Sequence, residues 1–465
     1  MIKIRVLAFL TIILLLPILG CKIFSTERMP PATVLSGIPG ATAQPPGIAT
    51  ALIATPIQAE EPNVISIWFN QDKDFKSKVY FAFVIENPNV NLVLTNLEYQ
   101  VVAYDASETI LGTYSSVDIG VLFPGERRAI SGPYWIDVPE SSTVTRISVQ
   151  ITRSADVQIS EQHGSPFTTE KVAYFSTPFS RITGVIQNNL NADISYLGVT
   201  AIAYDESGNI IGAGYDEIGS ITGRGGWGLG RLPANGYIPA IIGIHIVGEP
   251  AKVELYPFLI NTDAIEEPSQ TIEALRITTV GASQSCWGMV VENTDTKTRY
   301  NSGYTLIAYD ENGVVLDITE IVVSMIFPGE RLGVSGFFDL PQQTKLGKVE
   351  AHTDSGSVDE SDIWGFQKAG ITGNPLIAEG ASYPSENYGG LITGIIKNSY
   401  GKDLQYIWVT AIAYDASGAI IGGWSTNVSS VPANGQIAIS IWSNLQSSPA
   451  VIELYPTLSL NSLLP

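Results

Sequence analysis

A chain of 465 residues is longer than one hydrophobic core supports, so it must divide into several domains. With 45 acidic against 25 basic residues and a formal charge of -20, it lacks the clustered cations that grip phosphates, which excludes nucleic acid as a partner. Acidic excess serves solubility and names no ligand. The 44 glycines and 27 prolines, set among short runs of Val, Ile, Thr and Tyr, point to strands and turns.

In chain order, Lys3 and Arg5 precede an apolar run from Val6 to Leu19, too short to span a bilayer and of the length of a signal-peptide core. Ile18-Leu19-Gly20-Cys21 follows. This start resembles the bacterial lipoprotein signal, in which a small residue precedes the cysteine that receives diacylglycerol. The resemblance implies a signal peptide over 1–20, a lipidated Cys21, and an extracytoplasmic chain held to the cell membrane by two or three acyl chains. Residues 21–63 turn to Pro, Ala, Thr and Gly, which cannot bury enough apolar surface to offset ordering, and read as a tether.

Beyond the tether one hairpin is written four times: VVAYDASE at Val101, AIAYDESG at Ala201, LIAYDENG at Leu306 and AIAYDASG at Ala411. Alternation puts Leu97, Tyr99, Val101 and Ala103 on one face, with the same register at Leu197 to Ala203 and at Ile407 to Ala413. In the third copy Ser302 takes the first inward slot, so that strand is expected to begin later. Asp105, Asp205, Asp310 and Asp415 suit turn capping, and Gly208, Gly313 and Gly418 suit a left-handed closing residue, for which the first copy has Glu108.

An Asn-ended apolar run precedes each hairpin, at Asn87, Asn188, Asn293 and Asn398, and a proline turn follows it. The turn is FPGER at Phe123 and Phe327 and PANG at Pro233 and Pro432, so the modules alternate A-B-A-B. The strand, the Tyr-Asp turn and these flanking signals together resemble the FxLYD family of β-sandwich repeats in bacterial exported proteins, with Ala103, Ala203, Ala308 and Ala413 standing where the family has Leu. The resemblance implies an all-β fold of four tandem Ig-like sandwiches over 64–152, 170–260, 271–353 and 386–462, with polar or Gly/Pro-rich linkers between them. It carries over no functional residue.

No catalytic pattern emerges. His163, His245 and His352 lack partners at ligand or triad spacing, and the G-x-G-x-x-G at Gly223 to Gly228 is followed by no helix that could meet a phosphate. Asp205-Glu206-Ser207 and Asp310-Glu311-Asn312 lack the alternating oxygens and distal Glu of a calcium loop. Cys286, in an apolar run, reads as a buried reduced thiol. No metal, cofactor or enzymatic activity is expected.

The copies differ most in the second, which carries about 11 extra residues between Asp205 and Pro233 relative to Asp415 and Pro432 in the fourth. Its Gly-rich stretch holds Arg224, Trp227 and Arg231, an aromatic among cations on an expected loop tip, and Trp424 occupies the corresponding part of the fourth module. These four are the candidate contacts for a glycan or a surface protein. The expectation is a non-enzymatic surface lipoprotein with an adhesion, assembly or spacer role; the alternative is a carbohydrate- or solute-binding lipoprotein.

Overall fold

In the computed structural model, residues 59–465 are described, apart from 117–118, 133–134, 154, 219–230, 267–274, 354–363, 385–389, 460 and 464–465. The signal, Cys21, nearly all of the tether, Arg224 and Trp227 lie outside the described residues. The regular structure of the rest is almost entirely strand, in many separate antiparallel sheets.

The same two-sheet pattern recurs four times. In the first module an outer sheet joins Asn63–Gln71, Lys78–Glu86 and Arg127–Ser131, and a hairpin sheet joins Ile110–Ser116, Glu98–Tyr104 and Arg146–Arg153. The second has Phe167–Phe175, Arg181–Asn188 and Tyr237–Gly243 outside, with Ile210–Ile218, Leu197–Tyr204 and Lys252–Leu259 in the hairpin sheet. The third has Leu275–Ser283, Cys286–Asn293 and Arg331–Phe337, then Val315–Ile326, Arg299–Asp310 and Leu346–Thr353. The fourth has Leu376–Ser382, Gly390–Asn398 and Gln436–Ser443, then Ile420–Val431, Leu404–Tyr414 and Val451–Thr457.

The inward register read from alternation holds: Leu97, Tyr99, Val101 and Ala103 sit in one core, and Leu197, Val199, Ala201 and Ala203 in the next. Each hairpin aspartate caps its own turn. Asp105 Oδ1 accepts from the amides of Ser107 (2.8 Å) and Thr109 (2.9 Å), and Asp205, Asp310 and Asp415 repeat the pattern two and four residues on. Hydrogen bonds from the side chains of Asn209 and Ser417, followed by these amide bonds, favour the ionised carboxylate and hold Asp205 and Asp415 below the ordinary value. Gly208, Gly313 and Gly418 close the turn at positive φ, and Glu108 adopts the same conformation at φ 61°.

The four asparagines do more than end strands. Asn87, Asn188, Asn293 and Asn398 are all buried. Asn398 Nδ2 donates to the carbonyls of Lys402, Val431 and Pro432 at 2.9, 3.1 and 3.1 Å, while its Oδ1 accepts from Tyr400 N at 2.8 Å. Each therefore clasps the turn after its own strand to the distant proline turn. The two turn forms also differ physically. Glu126 and Glu330 of FPGER accept from the amides of Phe123 and Phe327 (2.7 and 2.8 Å), whereas in PANG the acceptors are Asp193 and Asp403, reaching Ala234 and Ala433 at 2.8 Å.

Four sequence expectations are corrected. The third module's hairpin strand does not start late: Arg299 and Tyr300 still pair with Ile326 and Met325, because the strand irregularity at Asn301 (φ 43°) is absorbed without loss of register and Ser302 is buried in line. The fourth module begins before residue 386, since Leu376–Ser382 is its first strand, and the second begins at Phe167 rather than 170. Part of the third linker is core rather than loop, because Phe366, on the short helix Trp364–Lys368, and Ile371 are buried with the fourth module's apolar residues.

The modules are not beads separated by linkers. The outer sheet of one packs against the hairpin sheet of the next. Ala82, Val84 and Ala129 are buried with Ile202, Tyr204, Ile210 and Ala213 of the second module. Ile241 is buried with Ile307, Tyr309, Val315 and Ile318 of the third, and the half-buried Val185 packs against them. Ile412, Ile420 and Tyr455 of the fourth join the core of the third, so closely that a Cβ on Gly333 would meet Tyr455 Cδ2 at 2.3 Å. From the second module on, the hairpin strand thus uses both faces: alternate residues fill their own sandwich, and the Ile and Tyr between them seat the preceding module.

Candidate interaction surface

Polar groups reinforce the docked faces. Arg181, fully buried, donates from Nη2 to the carbonyls of Leu316 (2.9 Å) and Asp339 (2.7 Å) in the third module, and Thr183 Oγ1 donates to Val315 O at 2.8 Å. Asp317 lies near Arg181; burial raises its carboxyl above the usual range while the amide of Asp339 and the guanidinium pull it back. Between the first and second modules, His245 stacks on Tyr80 with ring centroids 3.5 Å apart, and burial pulls its imidazole below the ordinary histidine value. His245 and Arg181 are thus interface residues.

The sequence-derived contact residues fare differently. Trp424 is a correction: it is only 5% exposed, it pairs across the sheet with Ala411, and its Nε1 donates to Asn444 Oδ1 at 3.1 Å. The bulge between Ala413 and Tyr414 shifts the phase of Ile420–Val431, turning this tryptophan into the core. It forms no tip. Arg231 is exposed, with Nη1 2.6 Å from Glu266 Oε2, at the edge of the stretch that holds Arg224 and Trp227. Cys286 is buried and free; its Sγ donates to Asn444 Oδ1 at 3.0 Å, and burial pushes the thiol up.

Among the described residues, no group of three His, Cys, Asp or Glu side chains is placed to hold a metal ion. A groove of about 610 Å³ is lined by Gln284, Ser285, Phe338, Asp339, Thr344 and Lys345.

Among the described residues, no module covers the outer sheet of the fourth. Its outward residues Leu391, Thr393 and Ile395 stand in register with Trp442, Ser440 and Ala438, and Ile377 with Lys397. In the first three modules the positions of Ile395 hold Val84, Val185 and Val290, and those of Ser440 hold Ser131, Ile241 and Ser335, all in faces that a following module covers. Here Trp442 is 67% exposed, Ile377 51% and Leu391 44%. Tyr406 and Trp408 of the same module are also about half exposed. Trp442 was legible in IAISIW, where Ile437, Ile439 and Ile441 face inward and the residues between them face out.

No family model matches the chain, and no curated protein matches it. Among solved structures, it is similar to red sea bream transglutaminase at 10% identity, over 41% of this chain and 32% of that one, with a TM-score of 0.12. The C-terminal globular domain of an oligosaccharyltransferase from Pyrococcus abyssi aligns at 9% identity over 64% of this chain and 76% of that one (TM-score 0.13). Escherichia coli alpha-2-macroglobulin activated by porcine elastase aligns at 9% identity over 87% of this chain and 45% of that one (TM-score 0.12). The chain spans about a third of the transglutaminase. At such scores none of the three defines a fold or an activity for it.

Proposed function

We propose that this chain is a non-enzymatic, extracytoplasmic lipoprotein that acts as a spacer and assembly element, anchored through Cys21 and built of FxLYD-type sandwich repeats. The observation that carries this reading is the serial docking of outer sheet on hairpin sheet, which buries Ile202, Ile307 and Ile412 in turn. Modules fixed in this way hold the fourth at a set position relative to the first, which is what a spacer requires. Fractionation of cells tests the anchor: the Cys21→Ala chain leaves the membrane fraction for the soluble or secreted one, and unchanged membrane association refutes the reading.

The alternative, a carbohydrate-binding lipoprotein, is favoured by Tyr406 and Trp408, two exposed aromatics close together on one strand. A glycan screen in which Trp408→Ala removes a specific signal supports it; a blank screen discards it.

A further inference from the structure

Tyr406, on the fourth module's hairpin strand, is strained. It lies at φ 51°, a left-handed conformation that bulky side chains rarely adopt. At the same distance before the hairpin aspartate stand Asn96 at φ 57° and Asn301 at φ 43°, a residue type suited to that conformation. The fold gains little from the tyrosine, which is 52% exposed and whose hydroxyl has no hydrogen-bond partner among the described residues.

Trp408, on the same strand, is 50% exposed, and its place is taken by Glu98, Gly198 and Gly303 in the other modules. In the second module that end of the sheet is covered by Phe258, whose ring a Cβ on Gly198 would meet at 2.5 Å, and the preceding module lays Arg128 over the ring at 4.7 Å from its centroid. The fourth has Thr457 in place of Phe258, and the third module does not repeat the cover.

The groups beside the two rings are polar and neutral. Asn427 pairs across from Trp408, and Ser429 stands beside Tyr406, between the pairs Gln405–Ser430 and Ile407–Val428. Both are exposed, and neither side chain has a hydrogen-bond partner among the described residues. Bare rings beside unpaired amides and hydroxyls match a sugar, whose C–H face stacks on an aromatic and whose hydroxyls both donate and accept. A patch without charge offers nothing to a phosphate or a carboxylate.

We infer that this end of the fourth hairpin sheet binds an uncharged oligosaccharide, stacked on Trp408 and Tyr406 and held through its hydroxyls by Asn427 and Ser429, which rests on the carbohydrate-binding reading and narrows it to one face and one ligand class. Residues two apart on a strand are separated by roughly 7 Å, room for two neighbouring rings of an extended β-linked chain. The strain at Tyr406 then sets its ring in line with Trp408, stability exchanged for binding.

Titration calorimetry of the full chain with β-linked hexamers of glucose and of N-acetylglucosamine, in a detergent without a sugar headgroup, tests it. The expected result is saturable binding of at least one of them at about 0.1 to 1 mM, with an acidic hexamer of galacturonic acid at least about tenfold weaker. Trp408→Ala should weaken binding at least about tenfold and Asn427→Ala about threefold. Tyr406→Asn should weaken binding while leaving the thermal midpoint unchanged or raised, which a purely structural tyrosine would not do. Binding that survives Trp408→Ala, or that favours the acidic hexamer, overturns the inference and leaves the protein a carbohydrate binder. No binding of either neutral hexamer overturns it too, and the glycan screen then decides the wider reading. A lower midpoint for Tyr406→Asn with binding intact would make Tyr406 a packing residue and overturn the platform.

Discussion

Replacing Arg181 tests the docked interfaces most sharply. Its guanidinium is fully buried and spans from the second module to two carbonyls of the third, Leu316 O and Asp339 O. Hydrogen bonds from a charged donor contribute about 1.5 to 3 kcal/mol each, and removing the donor strands buried acceptors. Desolvation of the cation offsets part of this, so Arg181→Ala should cost about 3 to 5 kcal/mol. Arg181→Met restores the packed volume without a charge to desolvate and should cost about half as much. The assay is urea denaturation of the full chain followed by tryptophan fluorescence. The alanine variant should lower the midpoint and separate the unfolding of the second and third modules. A loss below about 1 kcal/mol, or an unchanged profile, would mean that Arg181 is solvated and the interface is not formed as described.

Asn398→Ala removes four hydrogen bonds inside the fourth module and should destabilise it by about 3 kcal/mol in the same assay. Glu108→Gly relieves a left-handed non-glycine residue and forfeits only an exposed pair with Arg146, so the midpoint of the first module should rise modestly by calorimetry; a fall would refute this. The carboxylate of Asp415 is held below its ordinary value of 3.8. The stability it adds is therefore present above that value and lost as pH falls through the lower folded-state value. Protection of the Ser417 and Ala419 amides, taken relative to the intrinsic exchange rate at each pH, should accordingly fall in acid toward that of Asp415→Ala, and no difference between the two proteins at neutral pH would contradict the cap. Cys286, with its thiol pushed up by burial, should resist alkylation in the folded chain and react on unfolding.

The hairpin was readable because its two signals are local. Alternation fixes the inward face, and an aspartate with a left-handed residue three positions on fixes the turn. The asparagines were visible as punctuation but not as clasps, since their partners lie more than thirty residues away, as with Asn398 and Val431. Trp424 misled because one bulge inverts the phase of everything after it, a change of backbone with no signature in residue type. The first strand of the fourth module, LIAEGAS, has too few apolar residues to stand out from a linker. Docking was hidden for a different reason: Ile202 and Tyr204 look like an ordinary second face of a strand, and only their burial by another module shows why that face is apolar too.

The central claim is that successive modules are packed face to face, and four equivalent positions test it directly. Ser131, Ile241 and Ser335 lie on covered outer sheets, and Ser440 lies on the bare one. Each is replaced singly by cysteine in the full chain, and the rate of thiol labelling is measured. The account predicts slow labelling at the first three positions and rapid labelling at Ser440→Cys. Equal, rapid labelling at all four would mean that the modules swing independently, and would contradict it.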